Sequence, residues 1–95
     1  MKVRSKKARA SPFALAQAEN LTERLRKEVP QDERARIQRA YVVLYGRPAS
    51  AKEVGIGSDY LARMRKQFAA AEAETRAWEA YCQVLLCANE FVYVD

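Results

Sequence analysis

The chain has 95 residues, 49% of them apolar, with only three glycines and three prolines, which is the profile of one small folded domain and not of a β-rich or low-complexity protein. It carries 17 basic and 12 acidic side chains, a net charge of +5, and no histidine, so the commonest general base and metal ligand is missing. No apolar run approaches the eighteen residues that a membrane-spanning helix needs.

The charge is unevenly placed. Lys2, Arg4, Lys6, Lys7 and Arg9 lie in the first ten residues with no acid among them. The remaining 12 basic residues balance all 12 acidic ones. Residues 1–10, basic and without periodicity, are therefore expected to be a disordered arm, and residues 11–95 an electroneutral helical domain. The arm has no interleaved aromatic residue for base stacking. It supplies cations that could neutralise phosphates, which makes nucleic acid a possible partner. No apolar h-region follows the basic start, so no signal peptide is read and the chain as given is expected in the cytoplasm.

Ser11-Pro12 opens the first predicted helix with a capping hydroxyl and a proline at the first helical position. Ala14, Ala18, Leu21 and Leu25 recur at three- and four-residue spacing, with Leu15 and Val29 flanking, and the helix is expected to end before Pro30. Glu19, Glu23, Arg24, Arg26 and Lys27 fall on its other side. The second helix starts at Gln31 or Asp32 and carries Ile37, Ala40, Tyr41, Leu44 and Tyr45 as one row, with Arg34, Arg36 and Arg39 elsewhere. Gly46 can take the left-handed conformation that ends a helix, and Arg47-Pro48 cannot continue it.

Ser50-Ala51-Lys52-Glu53 is a capping box, the Ser hydroxyl and the Glu carboxylate each accepting from the other residue's N–H. A Ser in that place stabilises a helix by about 1 kcal/mol. Val54, Gly57, Leu61, Met64 and Phe68 form the apolar row of the third helix. Gly55 and Gly57 each weaken it by about 1 kcal/mol relative to alanine; Gly57, on the apolar row, is expected to let another helix come close. Ala69–Thr75 either continues this helix or breaks it. The fourth helix buries Trp78, Tyr81, Cys82, Leu85 and Leu86. Asn89-Glu90 is read as its stop, and Phe91-Val92-Tyr93-Val94 as a short extended segment packed across the helices.

Little chemistry can be built from these parts. Cys82 and Cys87 lie five residues apart, roughly 140° around a helix and about 7–8 Å along it, too far for a disulfide within one helix. Cys82 reads as a buried thiol; Cys87 could pair between chains. Two cysteines without histidine make neither a zinc site nor a haem attachment motif. Gly55-Ile56-Gly57 follows a helix cap and not a strand, so it is a poor phosphate loop. Asp59, Glu79 and Glu90 show no spacing that asks for an acid–base pair. Glu90, at a helix end where the dipole disfavours an acid, is expected to pair with Arg39 or Arg47. No catalytic residue, cofactor or metal is expected, and the protein is not read as an enzyme.

One stretch, Arg39-Ala-Tyr41-Val-Val-Leu-Tyr-Gly46-Arg47-Pro48-Ala-Ser50-Ala-Lys-Glu53, and a second, Trp78 to Asp95 with Asn89-Glu90-Phe91 near its end, together resemble the C-terminal segment of a planctomycete-specific domain-of-unknown-function family found with cytochrome-c-like domains. Ser11-Pro12-Phe13 is similar to an Asn-Ser-Pro-Phe segment of that family, with Ala10 in place of Asn. The resemblance covers about residues 11–95. It implies a module that belonged to a larger, exported protein, and it lends no catalytic residue. Tyr41, Gly46, Arg47, Ser50, Glu53, Trp78, Asn89, Glu90 and Phe91 are its structural anchors. The expected architecture is an all-α bundle of three or four helices with a short extended C-terminal segment. The expected role is a non-catalytic interaction or structural module, with a protein partner or self-association; the alternative is a small nucleic-acid binder using the basic arm.

Overall fold

The computed structural model describes the backbone of residues 12–92 and the side chains of residues 15–88. The basic arm, with Lys2, Arg4, Lys6, Lys7 and Arg9, lies outside the described residues, as do Tyr93–Asp95 and the side chains of Asn89, Glu90 and Phe91. Four helices follow in order: α1 Pro12–Glu28, α2 Glu33–Tyr45, α3 Ala51–Arg65 and α4 Ala70–Val92. No strand occurs among the described residues. The all-α bundle expected from the sequence is what the chain forms.

The helix ends follow local chemistry. Proline at position 30 disfavours helical geometry at Val29, and the last helical bond there is Val29 N–H to Leu25 O at 2.8 Å. Asp32 caps α2: its Oδ1 accepts from Ala35 N–H at 3.0 Å. Gly46 ends α2 at φ +75°, its N–H donating to Val42 O at 3.0 Å. The Ser50/Glu53 box is complete: Glu53 N–H donates to Ser50 Oγ at 3.1 Å and Ser50 N–H to Glu53 Oε1 at 2.9 Å.

The break between α3 and α4 falls at residues 66–69, so of the ambiguous stretch Ala69–Thr75 only Ala69 is outside a helix and the rest begins α4. α3 stops at Arg65 in a tight turn, with Lys66 N–H donating to Arg63 O and Gln67 N–H to Met64 O. Phe68, placed on the apolar row of α3 by its spacing, lies beyond that helix and is half-buried. α4 then runs without interruption through Phe91 and Val92. Asn89-Glu90 therefore does not stop it; with the preceding turns already hydrogen-bonded, each added residue contributes a further helical bond. The extended segment expected from Phe91 can begin no earlier than Tyr93, outside the described residues.

The helix α4 is the axis of the core, packed chiefly on α1 and α3. Its buried side chains are Ala77, Trp78, Tyr81, Cys82 and Leu85, with Leu86 half-buried against them. Ala18, Leu21 and Leu25 come from α1, Ile37 and Ala40 from α2, and Val54 and Leu61 from α3. The helix α3 reaches α4 closely because of one residue. A Cβ built on Gly57 would lie 2.5 Å from the Tyr81 hydroxyl, 2.9 Å from Tyr81 Cζ and 3.2 Å from Ile37 Cδ1. Gly57 thus holds the close approach expected of it. Gly55 does not: a Cβ there meets nothing within 4 Å.

Candidate functional site

Two polar clusters join the helices, and both consist of groups that satisfy one another. The first surrounds Trp78. The Arg36 guanidinium is buried at 7% exposure. Its Nε donates to Val29 O at 2.8 Å and its Nη2 to Pro30 O at 2.7 Å, so it holds the carbonyls left open where α1 ends. Its Cζ stands 4.9 Å from the centre of the Trp78 ring, a cation–π contact. Trp78 Nε1–H donates to Glu74 Oε2 at 3.0 Å. Arg65 then bridges two acids from different helices, donating to Glu74 Oε1 at 2.8 Å and to Glu33 Oε1 at 2.6 Å. The Arg65 hydrogen bond holds the Glu74 carboxyl below its usual range. This cluster ties the starts of α2 and α4 to the end of α3.

The second cluster contains five of the expected anchors. Tyr41 meets Tyr45 edge-on, with ring centroids 5.0 Å apart and an interplanar angle of 67°. The Arg47 guanidinium lies 5.4 Å from the Tyr41 ring centre. It also grips Glu53 with both ends, Nη1 to Oε1 at 2.8 Å and Nη2 to Oε2 at 2.9 Å. Tyr45 O–H crosses to α4 and donates to Leu85 O at 2.7 Å. Burial pushes the Tyr45 phenol up to about 12. Gly46 and Ser50 set the turn that brings these groups together. Trp78 sits in the other cluster. For Asn89, Glu90 and Phe91 only the backbone, within α4, is described.

The Glu90 side chain, expected to pair with Arg39 or Arg47, lies outside the described residues, and each of those arginines pairs with another acid. Arg39 pairs with Glu28 across the α1–α2 turn at 2.8 Å, and Arg47 with Glu53. The reason in each case is proximity: the α1–α2 connection sets Arg39 beside Glu28, and the capping box already points Glu53 back toward Arg47. Cys82 is fully buried on α4, and burial pushes its thiol up to about 11, against the pull of the neighbouring Thr22 hydroxyl, which is the opposite of nucleophile activation. Cys87 is half-buried. Glu79 is half-buried and Asp59 exposed. Among the described residues no group of three or more His, Cys, Asp or Glu is placed to hold a metal ion, and no helix is long and apolar enough to cross a membrane.

Two features of the core depart from the sequence pattern. Arg36, expected off the apolar row, is buried; it stands four residues before Ala40, on the same side of the helix, and that spacing is the signal for it. The other is an orphan donor with no signal in the sequence. Tyr81 O–H is buried without a hydrogen bond of adequate distance and angle, although Tyr41 is its polar neighbour. Burial raises this phenol strongly, with Tyr41 adding to the shift.

Outside the clusters, large apolar side chains stay in contact with water on every helix: Leu15 at 42% exposure, Val42 at 40%, Ile56 at 61% and Val84 at 46%. Comparison with known proteins adds no relative: no protein-family model, no curated protein and no solved structure matches this chain.

The Glu53 carboxyl is held down at about 2, first by Arg47 and then by the Ser50 N–H. Its ordinary value is 4.5, so the folded state binds this proton less readily than the unfolded chain. The stability it contributes is present above pH 4.5 and is lost as pH falls towards 2. Glu53→Gln is expected to flatten that part of the acid-unfolding curve, leaving a shallower fall in melting temperature between those two pH values. An unchanged slope would show that the Arg47–Glu53–Ser50 arrangement is not maintained in solution.

Proposed function

We propose that this protein is a non-catalytic helical interaction or structural module, a piece that docks on or completes a larger assembly. The observation that carries the reading is the division of labour among its side chains. The buried thiol and phenols are pushed away from reactivity by burial, and the buried guanidinium is occupied by backbone carbonyls and an aromatic ring. Surface apolar groups, by contrast, are left open on all four helices. Scattered single apolar residues are ordinary on a protein surface, so the reading rests on this combination and not on exposure alone.

Sedimentation velocity of the full chain from micromolar to millimolar concentration tests the proposal. The expected result is a sedimentation coefficient that rises with concentration. A strict monomer throughout would count against it. A second reading, favoured by the placement of the whole charge excess in residues 1–10, is nucleic-acid binding through Lys2, Arg4, Lys6, Lys7 and Arg9. It requires affinity for DNA or RNA that falls steeply between low and moderate salt, and a titration without that dependence removes it.

A further inference from the structure

The helix α3 contains two glycines, and the fold accounts for only one. Gly57 faces inward, where Tyr81 and Ile37 leave no room for a Cβ. Gly55 faces water with open space about it, so nothing inside the molecule requires a glycine there, although a glycine weakens the helix. Beside it stands Ile56, the most exposed of the large apolar residues among those described, at 61%. One turn to either side on the same exposed face lie Lys52 and Asp59. Neither takes part in an ion pair among the described residues, whereas Glu53 and Arg65 on the same helix are both paired.

We propose that this outer face of α3, made of Lys52, Gly55, Ile56 and Asp59, is a self-recognition surface on which a second copy of the chain docks antiparallel. The inference rests on the interaction-module reading and names its partner. Charge complementarity selects the occupant and the direction. Lys52 and Asp59 are seven residues, or about 10 Å, apart along the helix. A two-fold axis between positions 55 and 56 brings Lys52 of each copy against Asp59 of the other, forming the same ion pair twice. A parallel pairing would set Lys52 against Lys52 and Asp59 against Asp59. In the antiparallel arrangement Ile56 of each copy lies over Gly55 of the other. The missing side chain lets the axes approach to the short end of the usual 8–10 Å helix spacing. Gly55 is then explained by the contact between copies, as Gly57 is by the contact within one. The ion pairs lie at the rim and set register more than strength.

Charge exchange in full-length chains, read by sedimentation velocity, tests this, with circular dichroism confirming that every variant is folded. Lys52→Glu and Asp59→Lys are each expected to weaken self-association about tenfold, since either change makes both pairs repulsive. Mixed together, the two variants should recover association close to that of the unmodified chain. The new acid at position 52 of one variant then meets the new base at position 59 of the other, and the two original residues, Lys52 and Asp59, meet across the second pair. Gly55→Gln should raise the melting temperature, through better helix propensity, and yet weaken association. If the chain associates but the single variants behave as it does, or their mixture shows no recovery, the α3 surface is wrong and the module reading stands. A chain that remains monomeric overturns both.

Discussion

Trp78→Ala is expected to leave the protein barely folded. Trp78 is 1% exposed and is the largest fully buried side chain. Deleting such a ring costs about 3–5 kcal/mol through lost transfer energy and the cavity left behind. The ring also carries polar partners that an alanine abandons. Arg36 stands over its face, Glu74 accepts from its Nε1, and Tyr81 meets it edge-on at 5.6 Å and 75°. Arg36 would keep its hydrogen bonds to Val29 and Pro30 but would lose the face it covers. A domain this small sits towards the low end of the ordinary stability range of about 5–15 kcal/mol. Each kcal/mol is worth about 4–8 °C in a domain of this size, so the melting temperature should fall by about 12 °C or more, with loss of a sharp transition. Trp78→Phe, which keeps most of the volume and gives up the Nε1 donor, should lose far less. Thermal melts followed by circular dichroism decide it. A melting temperature for Trp78→Ala within a few degrees of the unmodified protein would show that the Trp78 cluster is not the centre of the fold.

The contrast between what the sequence discloses and what it hides runs along one physical line. Features fixed by neighbours in the chain are readable. Gly46 at positive φ, the Ser50/Glu53 box and the break before Pro30 are each decided within a few residues, and each lies where it is expected. The buried row Trp78, Tyr81, Cys82 and Leu85 follows from helical spacing alone. Features fixed by distant partners are not readable. The four-residue spacing of Arg36 from Ala40 places it on the inner side of α2, but the two carbonyls that make its burial favourable come only from the meeting of the end of α1 with α2. Arg47 could suit any nearby acid by charge, and the turn geometry sets it against Glu53, while the Glu90 side chain expected as a partner of Arg39 or Arg47 lies outside the described residues. Asn89-Glu90 interrupts the apolar pattern and so suggests too early an end for α4, while a long helix needs more than two polar residues to end it. The side chains of Asn89, Glu90 and Phe91 fall outside the described residues. The candidate surface on α3 illustrates the same limit: helical spacing puts Gly57 on the apolar row and Gly55 off it, and only the structure shows the open space around Gly55.

Gly57 and Tyr81 should behave as a coupled pair, and a double-mutant cycle can measure the coupling. Gly57→Ala improves helix propensity by about 1 kcal/mol. Against that gain, the new methyl group would meet the Tyr81 hydroxyl at 2.5 Å and Cζ at 2.9 Å, contacts that a folded protein does not sustain. Tyr81 is 4% exposed and has the Trp78 and Tyr60 rings beside it, so its ring has little freedom to withdraw. Overpacking of this kind costs about 1–3 kcal/mol, and the net effect of Gly57→Ala is expected to be destabilising. Tyr81→Phe should act in the opposite direction. It removes a buried hydroxyl that has no hydrogen-bond partner, and an unsatisfied buried group of that kind costs about 1–3 kcal/mol. A phenylalanine at position 81 should therefore raise stability, an unusual outcome for deleting a polar atom from a core. In the Tyr81→Phe background, alanine at position 57 no longer meets an oxygen at 2.5 Å, but the ring carbon remains close, so relief is partial. The penalty of Gly57→Ala should accordingly shrink by about 1 kcal/mol in that background, a coupling within the range seen for residues in contact. Urea unfolding of the four proteins measures it. Additive effects, or a more stable Gly57→Ala single variant, would mean that α3 and α4 are not held as close as Gly57 permits.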